Sequence, residues 1–142
     1  MGNVLVVDDE AGIRRVLSAA LRAQGHVVIE ADDGLSALEA LRAQPCDLVI
    51  TDWRMPRMSG DRLLAEVQRL APSTDVIIMT GYGSIESAVA AMKAGAVDYM
   101  TKPLDLADVR EKVALRLAER ATRGGVEAVS PVGPLISLSK AI

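Results

Sequence analysis

Five side chains of reactive type each stand where an apolar run ends. Asp8 and Asp9 follow Val4, Leu5, Val6 and Val7; DLVIT runs into Asp52; VIIMT closes on Thr80; VDYMT runs into Lys102. A carboxylate at the end of a buried strand is costly unless something positive meets it. Three brought together repel, a pair about 4 Å apart by roughly 4 kcal/mol at an effective dielectric near 20. A divalent cation relieves that repulsion, and an all-oxygen donor set with open positions fits Mg²⁺. A soft-ligand or zinc site is excluded, because Cys46 and His26 are single and stand apart in sequence. Beside a lysine ammonium and Mg²⁺, a carboxylate can attack phosphorus and become an acyl phosphate. The cation and Lys102 then neutralise the equatorial oxygens, and the Thr80 hydroxyl donates to one of them. Asp52 is the expected nucleophile, since it stands alone at the end of a central strand. The loop after it offers carbonyls, notably that of Arg54, to the metal. Asp8 and Asp9 suit metal and water-shell binding.

These residues need a scaffold that gathers strand ends. The apolar runs at 3–8, 26–31, 46–52, 75–80 and 96–101 read as five strands. Between them lie helical stripes: Ile13, Val16, Leu17, Ala20 and Leu21, with Arg14, Arg15 and Arg22 off the stripe; Leu35, Leu38 and Leu41; Leu63, Leu64, Val67 and Leu70, all inward. In the fourth helix Ser84 is the expected N-cap, Glu86 favours the positive helix end, Ile85, Val89 and Met92 are candidate core residues, and Gly95 is the stop. A fifth helix from about Leu106 to about Ala121 carries Leu106, Val109, Val113 and Leu117, and Gly124-Gly125 breaks it. Strict strand–helix alternation predicts an α/β fold: a flavodoxin-like, doubly wound (βα)5 three-layer sandwich with parallel sheet order 2-1-3-4-5. In such sheets ligands bind beyond the C-terminal strand ends, at the switch point between strands one and three. That topology draws Asp8, Asp9, Asp52, Thr80 and Lys102 to one rim.

With 142 residues, half of them apolar and a quarter charged, the chain is of single-domain size and ordinary globular composition. A formal net charge of −3 gives no electrostatic reason to bind nucleic acid. A lone Cys46, no apolar run of membrane-spanning length and no basic flank before an apolar segment predict a cytoplasmic protein without membrane attachment. There is no Phe, so aliphatic side chains must make the core. Residues 1–121 read as the domain and 122–142, rich in Pro and Gly, as a linker or a truncated connection to an effector domain.

Four stretches, VVDDE, LVITDWRMPRMSG, IIMTGYG and VDYMTKP, occur in order at successive strand ends. Together they resemble the receiver domain of two-component response regulators over roughly residues 3 to 121. The resemblance implies that a sensor histidine kinase phosphorylates Asp52. It implies that Asp9 is the direct metal ligand of the acidic pair, that Arg54 lends its backbone carbonyl, and that Lys102 contacts the phosphoryl group. Thr80 and Tyr99 match the family's switch pair, and Lys102-Pro103 is expected to be cis. The stretch MTGYGSIESAVAAMKAGAVDYMTKPL is further similar to the NtrC-like subgroup, whose receivers control an ATPase acting on sigma-54 RNA polymerase. No Walker motif or helix-turn-helix follows residue 121. A homodimer is expected through the face of helix four, strand five and helix five, or through an extended helix five.

Taken singly, each residue has a plainer reading. Asp8-Asp9 would be a solvated strand end, Thr80 a strand residue, Tyr99 core, Trp53 and Met55 packing or loop surface, His26 a structural residue entering the second strand, and Cys46 a buried filler. Arg54 and Tyr82 flank the site and would tune acyl-phosphate hydrolysis. Two rival functions are an aspartyl-phosphate phosphohydrolase and a phosphorylation-independent interaction domain. The first normally needs an acid–base Asp two residues beyond the nucleophile, where this chain has Arg54.

Overall fold

The computed structural model describes residues 2–81 and 84–129, with side chains as far as Thr122. Five strands alternate with five helices: β1 (Asn3–Val7), α1 (Ala11–Ala23), β2 (Val27–Ala31), α2 (Gly34–Ala43), β3 (Leu48–Asp52), α3 (Gly60–Leu70), β4 (Asp75–Thr80), α4 (Ile85–Lys93), β5 (Asp98–Thr101) and α5 (Leu106–Val129). The sheet is parallel throughout, in the order β2-β1-β3-β4-β5 expected from the alternation. Connections between neighbouring parallel strands must cross a face of the sheet, so the inner strands β1, β3 and β4 are covered on both sides and read as apolar runs, while the edge strands β2 and β5 are partly exposed.

Side-chain alternation divides the core in two. Val4, Val6, Leu48, Ile50, Ile77, Met79 and Met100 point to the side covered by α1 (Leu17, Leu21) and α5 (Val109, Val113, Leu117). Leu5, Val7, Val49, Val76 and Ile78 point to the side covered by α2 (Leu38, Leu41), α3 (Leu63, Leu64, Val67) and Ala91 of α4. Cys46 is buried in that second layer, where Trp53 and Met55 also pack in part. Among the described residues no helix is long and apolar enough to cross a membrane.

The structure corrects several sequence expectations. β1, β2, β3 and β5 are shorter than the apolar runs that mark them, although the flanking Asp8, Asp47 and Val97 still donate backbone N–H bonds to neighbouring strands. Leu70 is exposed at the last position of α3. In α4 the expected core is turned outward: Ile85 is 77% exposed, with Val89 and Met92 exposed too, while Ser87, Ala88 and Ala91 face the sheet. Small side chains let this short helix lie close to β4 and β5. Ser84 does stand at the N-cap, yet its hydroxyl donates to the Ser87 hydroxyl at 2.7 Å instead of accepting from a free backbone N–H. Gly95 closes the helix as expected, with φ +110°, a conformation open chiefly to glycine. Gly124-Gly125 does not break α5, which runs on to Val129. Glycine costs about 1 kcal/mol in a helix interior, which the rest of a long helix can carry.

α5 leaves the C-terminal edge of the sheet and returns along it. Leu117 packs against Gly2, and Arg120 Nε lies 3.2 Å from Asp47 Oδ1, whose Oδ2 accepts the Asn3 N–H at 2.9 Å. His26 is structural as expected, its Nδ1 accepting the Gly2 N–H at 3.3 Å.

Candidate functional site

Strand register builds the site. Val7 pairs with Thr51, and Asp52 with Met79, so Asp8 and Asp52 emerge side by side on adjacent strands. The Trp53 N–H donates to the Met79 carbonyl at 2.8 Å, and the Lys102 N–H to the Thr80 carbonyl at 2.9 Å, which extends the ladders past the strands. Asp8, Asp52 and Lys102 each fall two residues after a residue of the α1/α5 core (Val6, Ile50, Met100), so all three side chains leave the same side of the sheet. They meet there: Lys102 Nζ is 2.8 Å from Asp8 Oδ2, 3.1 Å from Asp52 Oδ2 and 3.6 Å from Glu10 Oε1.

Asp8 is fully buried and Asp52 nearly so. Asp8 Oδ1 accepts the Glu10 N–H at 2.9 Å; its Oδ2 has the Lys102 ammonium as its one partner among the described residues. Burial pushes the Asp52 carboxyl above the ordinary carboxylate range, and the hydrogen bond and charge of Lys102 pull it back only in part. For Lys102, burial acts downward, but its bonds to Asp8 and Asp52 outweigh it, so the ammonium is held above its usual value. Asp8, Asp9 and Asp52 each offer a carboxylate oxygen within 4.8 Å of one another, with Asp9 on the exposed side. Hard oxygen donors, one buried oxygen facing a lone ammonium and one side open to solvent fit a small divalent cation such as Mg²⁺.

The remaining expected residues are placed as follows. The Arg54 N–H is 3.4 Å from Asp52 Oδ1, so this loop residue adjoins the carboxylate. Thr80 is fully buried, and its hydroxyl donates to the Met100 carbonyl at 3.4 Å, toward β5. Tyr99 is 39% exposed and lines an apolar groove of about 320 Å³ with Ile85, Val89 and Met92. Lys102-Pro103 is cis, as the resemblance implied. Tyr82 lies outside the described residues. Sequence reading missed Glu10 and Arg14. Glu10 adjoins the acidic pair, and that adjacency was signal enough; Arg14 reaches the Asp8 carbonyl from α1, and only the helix position brings it there.

Residues 4–114 match the model of the response regulator receiver domain. The chain belongs to that family. It is therefore a regulatory domain, and its curated relatives are longer regulators. The transcriptional regulatory protein ZraR of Klebsiella oxytoca is 44% identical over 117 residues, which cover 82% of this chain and 26% of that protein. The response regulator protein PilR of Pseudomonas aeruginosa is 42% identical over 116 residues, again 82% of this chain and 26% of the relative. The chain thus spans about a quarter of the length of these relatives. Among solved structures, NtrX from Brucella abortus superposes with a TM-score of 0.89 at 31% identity, covering 99% of this chain and 32% of that one. A CheY-like receiver domain protein from Methanospirillum hungatei covers 98% of its own length at a TM-score of 0.81 and 30% identity.

Proposed function

We propose that the domain is a phosphorylation-controlled switch of a two-component system, with Asp52 as the phosphoacceptor. The observation that carries this reading is the Lys102 ammonium seated between the Asp8 and Asp52 carboxylates, at 2.8 and 3.1 Å. A kinase histidine is the phosphoryl donor: its P–N bond breaks as a P–O bond forms to a carboxylate oxygen of Asp52. Asp8, Asp9, Asp52 and the Arg54 carbonyl would hold Mg²⁺, Asp9 directly, and bound Mg²⁺ supplies positive charge to the phosphoryl oxygens. Lys102 turns from Asp8 toward the same oxygens, and Thr80 exchanges the Met100 carbonyl for one of them. The domain catalyses only its own phosphorylation and dephosphorylation.

Phosphorylation adds a charge of about −1.5 to −2, by analogy with other phosphorylated side chains. As Thr80 moves toward it, space opens on the far side of β4 and Tyr99 turns inward from its exposed position. The face of α4, β5 and α5 then changes shape, and a homodimer through that face or through the extended α5 is the output. In the whole protein this receiver, residues 1–121 joined by 122–142, governs a cytoplasmic transcriptional effector of the NtrC-like kind. The receiver itself binds neither DNA nor membrane.

The test is to incubate the chain with Mg²⁺ and a small acyl-phosphate donor and to take intact masses of wild type and Asp52→Asn. One phosphoryl adduct that requires Mg²⁺ and is missing from the variant supports the reading. No adduct on wild type, together with no Mg²⁺ binding, overturns it in favour of a phosphorylation-independent interaction domain.

A further inference from the structure

Arg14 stands off the apolar stripe of α1, where a solvated side chain is the ordinary expectation, yet its side chain is only 18% exposed. Its guanidinium forks. One terminal nitrogen donates to the Asp8 carbonyl at 2.7 Å, and Nε lies 3.3 Å from Glu30 Oε1 on the edge strand β2. Glu30 is held in turn by Arg22, 3.3 Å from its Oε2, and Arg22 also donates to the Val28 carbonyl at 3.0 Å. Two arginines of α1 thus clamp the edge strand, and one of them reaches past it to the acidic rim.

The bond to Asp8 falls on one particular group. The Asp8 carbonyl belongs to the peptide unit joining Asp8 to Asp9, and that unit is planar. Fixing the oxygen fixes the plane, and with it the direction in which the Asp9 Cα leaves β1. Asp8 is also held at its N–H, which donates to Ala31 at 3.2 Å, and at Oδ1, which accepts from Glu10. Asp9 is exposed, so its orientation has to come from the backbone before it.

We propose that Arg14, anchored by Glu30, is a positioning residue that sets the Asp8–Asp9 peptide so that both carboxylates are presented to a divalent cation. The proposal rests on the Mg²⁺ site proposed above. It predicts a sign that charge alone would reverse. Arg14 carries a positive charge close to the cation site, so on electrostatic grounds its removal should tighten Mg²⁺ binding. Loss of orientation should weaken it, by about tenfold for a supporting residue behind a metal ligand.

The experiment titrates Mg²⁺ into the chain, followed by the emission of Trp53, the single Trp, which adjoins Asp52, and by calorimetry. Thermal unfolding is recorded for every variant. Arg14→Gln should raise the dissociation constant about tenfold. Arg14→Lys keeps the charge but not the fork, and should follow Arg14→Gln. Glu30→Ala should show a smaller loss, and the double variant should match Arg14→Gln within about twofold, because both changes break one chain of contacts. An Arg14→Gln dissociation constant at or below wild type overturns the proposal, as do a Lys variant equal to wild type and losses that simply add. Should Arg14→Gln fail to fold, Glu30→Ala decides, and an unchanged dissociation constant there overturns the inference. If wild type binds no Mg²⁺, the site reading falls and takes this inference with it; if wild type binds and the variants match it, this inference falls alone.

Discussion

Lys102 carries two opposed duties: it is the cation that lets Asp8 be fully buried, and it is the group a phosphoryl oxygen would attract. Replacing it with Met leaves the Asp8 charge buried without its partner, a change that typically costs about 3–5 kcal/mol. We expect Lys102→Met to unfold at markedly lower urea concentration without metal and to regain more stability from Mg²⁺ than wild type does, since the cation then takes over the ammonium's role. Equal Mg²⁺ stabilisation of the two proteins would show that Asp8 does not face the metal. At this scale the sequence was informative about charge and poor about reach. Asp8, Asp9, Asp52 and Lys102 were recognisable because each ends an apolar run. Arg14 was not, because nothing in its neighbours shows that the edge strand bends its guanidinium back to the Asp8 carbonyl.

α4 shows where elements become hard to read. Its sequence carries two helical stripes, Ile85-Val89-Met92 and Ala88-Ala91, and hydrophobicity favours the wrong one. Alanine is buried here because it lets the backbone approach the sheet, a reason that apolar periodicity cannot weigh. Ile85→Ser and Val89→Ser should therefore change unfolding free energy by no more than about 0.5 kcal/mol, as for ordinary surface positions. Ala91→Leu, on the packed side, should cost about 1–3 kcal/mol through overpacking. Chemical denaturation of the three variants measures both. At the start of α3, a Cβ on Gly60 would come 2.6 Å from the Trp53 Cα and closer still to the Asp52 carbonyl oxygen, and neither backbone atom can step aside. Gly60→Ala should lose a similar 1–3 kcal/mol, roughly, and should disturb the phosphoacceptor directly. A variant as stable as wild type, with normal phosphorylation, would mean the contact relaxes freely. The strands, in contrast, were plain to read, because a parallel sheet covered on both sides admits little but aliphatic residues.

For the whole molecule, the order of the sheet followed from the alternation of strands and helices together with the right-handedness of crossovers. The extent of α5 did not follow, since two adjacent glycines weaken a helix without dictating its end. Among the residues whose side chains are described, Leu117 is the last core residue of α5 and Arg120 makes the last cross-element ion pair. A chain ended at Ala121 should therefore unfold cooperatively at the same urea midpoint as the 142-residue chain and bind Mg²⁺ equally well. A lower midpoint would place part of the folding unit beyond that residue. The return of α5 along the sheet has a practical corollary. Gly2 and Arg120 sit at one pole of the molecule, and the carboxylates sit at the other. A fluorophore, bead or sensor surface attached near Gly2 or Arg120 would hold the domain by its base and leave the acidic rim facing the solution, where a kinase could still dock.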